Sequence, residues 1–135
     1  RGLSAAFRQW RADSHCKFLH GYSLEFEFKF GANELDERNW VVDFGGLKDL
    51  ESWLRENFDH KTLVASDDPK LSEFESLQEN GIIDLVIVES TGAEMFAKMA
   101  MEYSTKLIEE NYGDRCWVES VTVREHGANS AKCKR

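Results

Sequence analysis

Proline is almost missing: Pro69 is the only one in 135 residues, and there are just nine glycines. That scarcity excludes a linker-rich or collagen-like chain. Long apolar runs are missing too. "IIDLVIV", Ile82 to Val88, is the longest candidate. It is interrupted by Asp84 and falls far short of the ~20 residues that span a bilayer. No segment reads as a secretory signal. The chain starts at Arg1, so a short preceding piece is expected. Excess positive charge is absent: the net charge is -8. A nucleic-acid footprint is therefore not expected, and an anionic ligand would need a local basic pocket. The three cysteines, Cys16, Cys116 and Cys133, make no disulfide framework. They point to a reducing, cytoplasmic setting.

Hydrophobic residues make up 41% of the chain and aromatics 12%, enough to bury a core. The length suggests a single domain spanning residues 1–135. In "SLEFEFKF", Ser23 to Phe30, Leu24, Phe26, Phe28 and Phe30 alternate with charged residues, which predicts a half-buried strand. "GANELDERN" reads as a polar turn and "WVVDF", Trp40 to Phe44, as a return strand completing a hairpin. Asp43 is placed to cap a helix in which Leu47, Leu50, Leu54 and Phe58 share a face. The Gly45-Gly46 pair weakens its first turn.

Asp68-Pro69 signals a short helix carrying Leu71, Phe74 and Leu77, stopped by Asn80-Gly81. "TGAE", Thr91 to Glu94, fits a capping box ahead of a long helix to about Asn111. Cys116 to Glu125 reads as a last strand, with Trp117, Val121, Val123 and Glu125 on one side. Lys132 to Arg135 reads as a solvated basic terminus. The expected class is α+β with a mostly antiparallel sheet.

Three clusters carry chemistry. In "SHCKFLHGY", His15, Cys16 and His20 lie within six positions. A cysteine beside a histidine can serve as base or nucleophile, although cysteine is as often a small buried hydrophobe. In "FDHK", Asp59 can orient His60 for proton transfer, or the pair is plain loop. In "VREHG", Glu125 continues the apolar parity. A carboxylate there calls for a partner with paired N–H donors: a ligand, an arginine or backbone. His126 is expected to point the other way. Arg8, Arg11, Lys17 and Lys61 are candidate anion contacts, not separable in sequence from ordinary surface charge.

"LSAAF", "CKFLHG", "WVVDFGGLK", "FDHKTL", "TGAEMFA" and "VREHG" occur in an order that resembles the 6-pyruvoyl-tetrahydropterin and 6-carboxytetrahydropterin synthases. The resemblance implies a tunnelling fold (T-fold): an antiparallel sheet with two long helices packed on one face, forming an oligomeric barrel. The Asp67–Val88 stretch is then an insert between the helices. It implies a homo-oligomer, trimer or hexamer, with pterin sites between subunits, and no nucleic acid or membrane partner. It implies an enzyme, a carbon–oxygen lyase acting on 7,8-dihydroneopterin triphosphate or a related pterin, in a queuosine-type or tetrahydrobiopterin pathway.

Carried over, Cys16 is the acid/base, Asp59 and His60 assist it, and Glu125 anchors the pterin. Thr91 and Gly92 stand near the substrate, without the family's proline. The family's zinc is held by three histidines, whose positions here are Phe7, His20 and Tyr22. A zinc site would need rebuilding, for example with His15 and His20. The alternatives are a metal-independent enzyme like the dihydroneopterin aldolases, or a non-catalytic pterin- or purine-binding protein.

Overall fold

In the computed structural model of the protein the described residues are 2–126 and 129–135, and the side chains of Phe44 and His126 lie outside that description. The elements run β1 (Leu3–Phe7), β2 (His20–Ala32), α1 (Lys48–Phe58), β3 (Lys61–Ala65), α2 (Leu71–Glu79), β4 (Leu85–Val88), α3 (Ala93–Tyr112), β5 (Cys116–His126) and β6 (Asn129–Lys134). One six-stranded sheet has the order β4-β3-β1-β2-β5-β6. The β1–β2, β2–β5 and β5–β6 pairs are antiparallel, whereas β3 pairs in parallel with both β1 and β4. The sheet is therefore mixed, and the insert supplies its parallel edge.

Helices α1 and α3 pack over the sheet. Phe7, Phe58 and Phe96 are fully buried, and their neighbours include Leu24, Val121, Val123, Ala97 and Ala100. Burying side chains of this size contributes roughly 2–3 kcal/mol each. Phe96 meets Phe7 edge-on at 4.9 Å and Phe58 at 5.3 Å, tying both helices to β1. No helix among the described residues is long and apolar enough to cross a membrane.

Several expectations need correcting. Residues 40–43 form no strand, so there is no hairpin. Along Glu25–Ala32 the strand paired with β2 is β5, and β1 covers only His20–Leu24. The segment instead anchors through buried Val42 and through the Val41 carbonyl, which accepts from Arg115 at 2.8 Å. Asp43 does cap, accepting from the Gly45 N–H at 2.8 Å, but the two glycines start a 3-10 turn, Phe44–Leu47, before α1.

The Thr91–Glu94 capping box does not form: Gly92 is the N-cap, with φ 120°. The Thr91 hydroxyl donates to the Arg8 carbonyl at 2.6 Å instead. Of the apolar run Ile82–Val88, only Leu85–Val88 forms a strand. Nor is Cys116–Glu125 the last strand, because the basic terminus pairs with it as β6. Finally, the register shifts between Lys29 and Phe30, so Phe28 faces Val121 but Phe30 faces Val118. The extra residue in β5 turns Cys116 and Val118 inward and leaves Trp117 half-buried beside Arg135.

Candidate functional site

Where β2 and β5 diverge, a slot opens at the end of the sheet. Ladder pairing between them stops at Glu25 and Arg124. Beyond it lies a cleft of about 430 Å³ lined by His20, Gly21, Tyr22, Ser23, Glu25, Arg124 and Glu125. Glu125 shares parity with buried Val121 and Val123, as the alternation predicts. Burial raises the Tyr22 pKa above the ordinary tyrosine value, and the negative charges of Glu125 and Cys16 add to the shift. Tyr22 thus lies within electrostatic reach of both groups. The side chain of His126 lies outside the described residues.

The Cys16 loop is built tightly. His15–Lys17 is one 3-10 turn, started by Ser14, whose hydroxyl accepts from the Cys16 N–H at 3.3 Å. The Cys16 carbonyl accepts from Gln9 N–H at 2.8 Å, and the His15 carbonyl from Phe18 N–H at 3.0 Å. His20 Nδ1 is 2.6 Å from the Phe18 carbonyl, which fixes that ring. His15 and His20 face each other edge-on, with centroids 5.9 Å apart.

The zinc positions of the resemblance do meet in space. Phe7 pairs with His20 and Ala5 with Tyr22 across β1–β2. The Phe7 and Tyr22 rings stack at 4.3 Å and 18°. Phe7 is completely buried and offers no donor atom. Among the described residues no three histidine, cysteine, aspartate or glutamate side chains cluster so as to hold a metal ion. The residues present do not fit a three-histidine zinc site.

Asp59 and His60 lie elsewhere. Asp59 Oδ1 accepts from the Ser4 N–H at 3.0 Å and is 3.1 Å from His60 Nδ1. Arg55 Nη1 stands 3.9 Å from Asp59 Oδ2. His60 has φ 60°, donates its N–H to the Ser4 carbonyl, and leaves its side chain 83% exposed. His20 and His60 therefore flank β1 on opposite sides and at opposite ends. Three residues along and two strands across separate their backbones by roughly 14 Å. Within one chain the pair thus lies at the end of β1 away from His20.

Thr91 and Gly92 are not in the Glu125 slot either. Thr91 is buried and lines a separate cleft with Gln9, Trp10, Arg11, Ala12, Ala65 and Ser90. Of the four candidate cations, three are engaged by aspartates of the insert. Arg8 holds Asp68 in a two-pronged pair at 2.6 and 2.9 Å, Arg11 holds Asp67 at 2.7 Å, and Lys61 holds Asp84. Lys17 sits over the Phe18 ring at 5.4 Å.

The Arg8–Asp68 pair is a contact that sequence reasoning missed. Arg8 also donates to the Lys17 carbonyl at 3.3 Å, so it joins the insert to the Cys16 loop. The Arg8 guanidinium holds the Asp68 carboxyl below its ordinary value, chiefly by hydrogen bonding. The signal available in sequence was only Asp68 before Pro69, which reads equally well as a helix start.

The family model described as 6-pyruvoyl tetrahydropterin synthase matches residues 1–135. A 6-carboxy-5,6,7,8-tetrahydropterin synthase of Rickettsia conorii is 41% identical over 72 residues, 53% of this chain and 52% of that protein. The match therefore spans about half the length of that relative. The enzyme of the same description from Aquifex aeolicus is 31% identical over 111 residues, 81% of this chain and 68% of that one.

Among solved structures, an uncharacterized protein of Wolinella succinogenes superposes with a TM-score of 0.86 at 19% identity, covering 98% of this chain and 93% of that one. A Plasmodium vivax 6-pyruvoyltetrahydropterin synthase gives a TM-score of 0.71 at 18% identity, covering 99% and 91%. The α+β tunnelling fold is shared with these neighbours.

Proposed function

Because the chain belongs to the 6-pyruvoyl tetrahydropterin synthase family, we propose that it is a pterin-processing lyase acting on 7,8-dihydroneopterin triphosphate or a related pterin. The observation that carries this reading is the cleft that Glu125 and Tyr22 line together, with Cys16 near enough for its charge to act on Tyr22. Glu125 accepts the two adjacent N–H groups of the heterocycle, a pairing a carboxylate makes well. Cys16 takes the proton from the substrate's side-chain carbon and returns it.

Asp59 and His60 act on the Cys16 of a neighbouring subunit. Their place at the far end of β1 supports a site shared between copies of the chain, as a homo-oligomer, trimer or hexamer. Asp59 fixes the His60 ring from Nδ1, leaving Nε2 for the proton relay. Thr91 supports the substrate indirectly, through the Arg8 backbone, and Gly92 follows it as the N-cap of α3. We place the protein in a reducing, cytoplasmic compartment on the strength of its three free cysteines.

The Phe7–Tyr22 stack favours the metal-independent form of this reading over a zinc site rebuilt from His15 and His20. One experiment tests both. Protein purified without a histidine tag is analysed for zinc, then incubated with 7,8-dihydroneopterin triphosphate and, separately, with 7,8-dihydroneopterin. Release of triphosphate or of an aldehyde is followed. Turnover with substoichiometric zinc supports the metal-independent lyase. Turnover that scales with bound zinc supports the rebuilt site. Tight pterin binding with no product from either substrate overturns the enzyme and leaves a binding protein.

A further inference from the structure

We propose that the Tyr22 hydroxyl donates the hydrogen bond that polarises the substrate's side-chain oxygen. The inference rests on the pterin-lyase reading above and names a catalytic residue that reading did not use. Removing a proton beside an oxygen-bearing carbon builds negative charge on that oxygen. A donor held in advance at that place lowers the barrier. The question is which group of the slot supplies it.

The lining side chains answer by elimination. Glu25 and Glu125 are acceptors when ionised. His20 has its Nδ1 committed to the Phe18 carbonyl at 2.6 Å, and the tautomer that bond requires leaves Nε2 as an acceptor. Arg124 leans toward Glu27, at 3.7 Å. Ser23 holds its hydroxyl against Gly2, so close that a Cβ there would meet it at 1.8 Å. Tyr22 is left. Its hydroxyl makes no hydrogen bond with the described residues, and its ring lines the slot beside Glu125.

The ring is also held in place, as such a donor requires. Phe7, completely buried, lies against it at 4.3 Å on one side and is itself braced edge-on by Phe96 at 4.9 Å. The wall is rigid because it belongs to the core, and β1–β2 pairing from Leu3–Leu24 to Phe7–His20 fixes both backbones. A phenol keeps its proton through neutral pH and needs no partner to do so. Phe7, which looks like the loss of a ligand, is in this arrangement the support of a replacement group.

The test is Tyr22→Phe, which keeps the stacked ring and removes only the oxygen. Binding of 7,8-dihydroneopterin is measured by titration, turnover by product release, and folding by the thermal midpoint. The expected result is a kcat lower by about 100-fold, with KM, pterin affinity and thermal midpoint unchanged. Turnover by Tyr22→Phe at the wild-type rate overturns the proposal and leaves the lyase reading standing. A raised KM at unchanged kcat also overturns it, because Tyr22 then only binds. A wild-type protein that neither binds nor converts pterins removes the lyase reading, and the proposal falls with it.

Discussion

The two ends of strand β1 carry the two halves of the proposed site in opposite conditions. The Phe7 end is held by local contacts: the Phe7–Tyr22 stack, the bonded His20 ring, the 3-10 turn bearing Cys16 and the Arg8–Asp68 clamp. At the Ser4 end, Asp59 is anchored to backbone but the ring it orients stands in solvent, on a residue with a left-handed φ. A subunit completes the first end by itself. It presents the second outward, and a backbone strain of that kind is commonly kept where function uses it.

The strongest way to break this comparison is to separate its halves. Cys16→Ala and His60→Ala should each lower turnover by about 100-fold or more. Oligomers reassembled from a mixture of the two inactive chains should regain activity, since some sites then combine an intact Cys16 with an intact His60. A mixture as inactive as its components would show that the two ends never meet.

Glu125→Gln sharpens the Phe7 end. It replaces a charge-assisted pair by neutral bonds, and pterin affinity measured by titration should fall about 10–100-fold with the oligomer intact. Unchanged affinity would remove Glu125 as the anchor.

Asp68→Asn probes what holds that end together. The Asp68 side chain is 1% exposed while Arg8 is 21% exposed, so the loss should be about 2–3 kcal/mol in denaturant unfolding. The sign with pH follows from the depressed native pKa of Asp68. Its contribution is full above the ordinary value of 3.8 and is lost as pH falls through the lower native value. Wild type and Asp68→Asn should therefore converge in stability on the acid side. The Cys16 alkylation rate should also rise in the variant, because the Lys17 carbonyl loses its steadied donor.

The smallest effect is expected at the other end. His60→Gly relieves the left-handed backbone and should raise stability by about 1 kcal/mol while removing the relay. A variant that is destabilised would mean that the His60 ring has a structural role.

How much of this was legible in sequence depended on the range of the interactions. Helices α1 and α3 and strand β2 announce themselves because each carries a long periodic apolar stripe that packing then uses unchanged. Strands β1, β3 and β6 are five or six residues long, and their partners lie far away or follow in a terminus that reads as solvated. Residues 40–43 have strand composition, but they are anchored by Arg115 and by burial of Val42 rather than by a ladder. Trp117 was misplaced by a single bulge, which no alternation rule foresees.

Among the proposed site residues, Cys16, His20 and Glu125 were singled out by motif and parity. The link of Thr91 to Arg8 and of Arg8 to Asp68 was not, since each spans 60 residues or more.

Strand β1 also has a kinetic meaning. It is the seam between a half of the sheet that closes locally and one that closes late. Joining β1 to β2 closes residues 8–19, whereas joining it to β3 closes residues 8–60, a loop more than four times longer. By loop-closure entropy alone the second joining costs about 1 kcal/mol more. The antiparallel meander can thus assemble early, with the parallel flank docking afterwards. Until it docks, the Phe7 side of β1 has its aromatic wall but not its clamp, and the edge of the strand facing β3 is open to pairing with another chain.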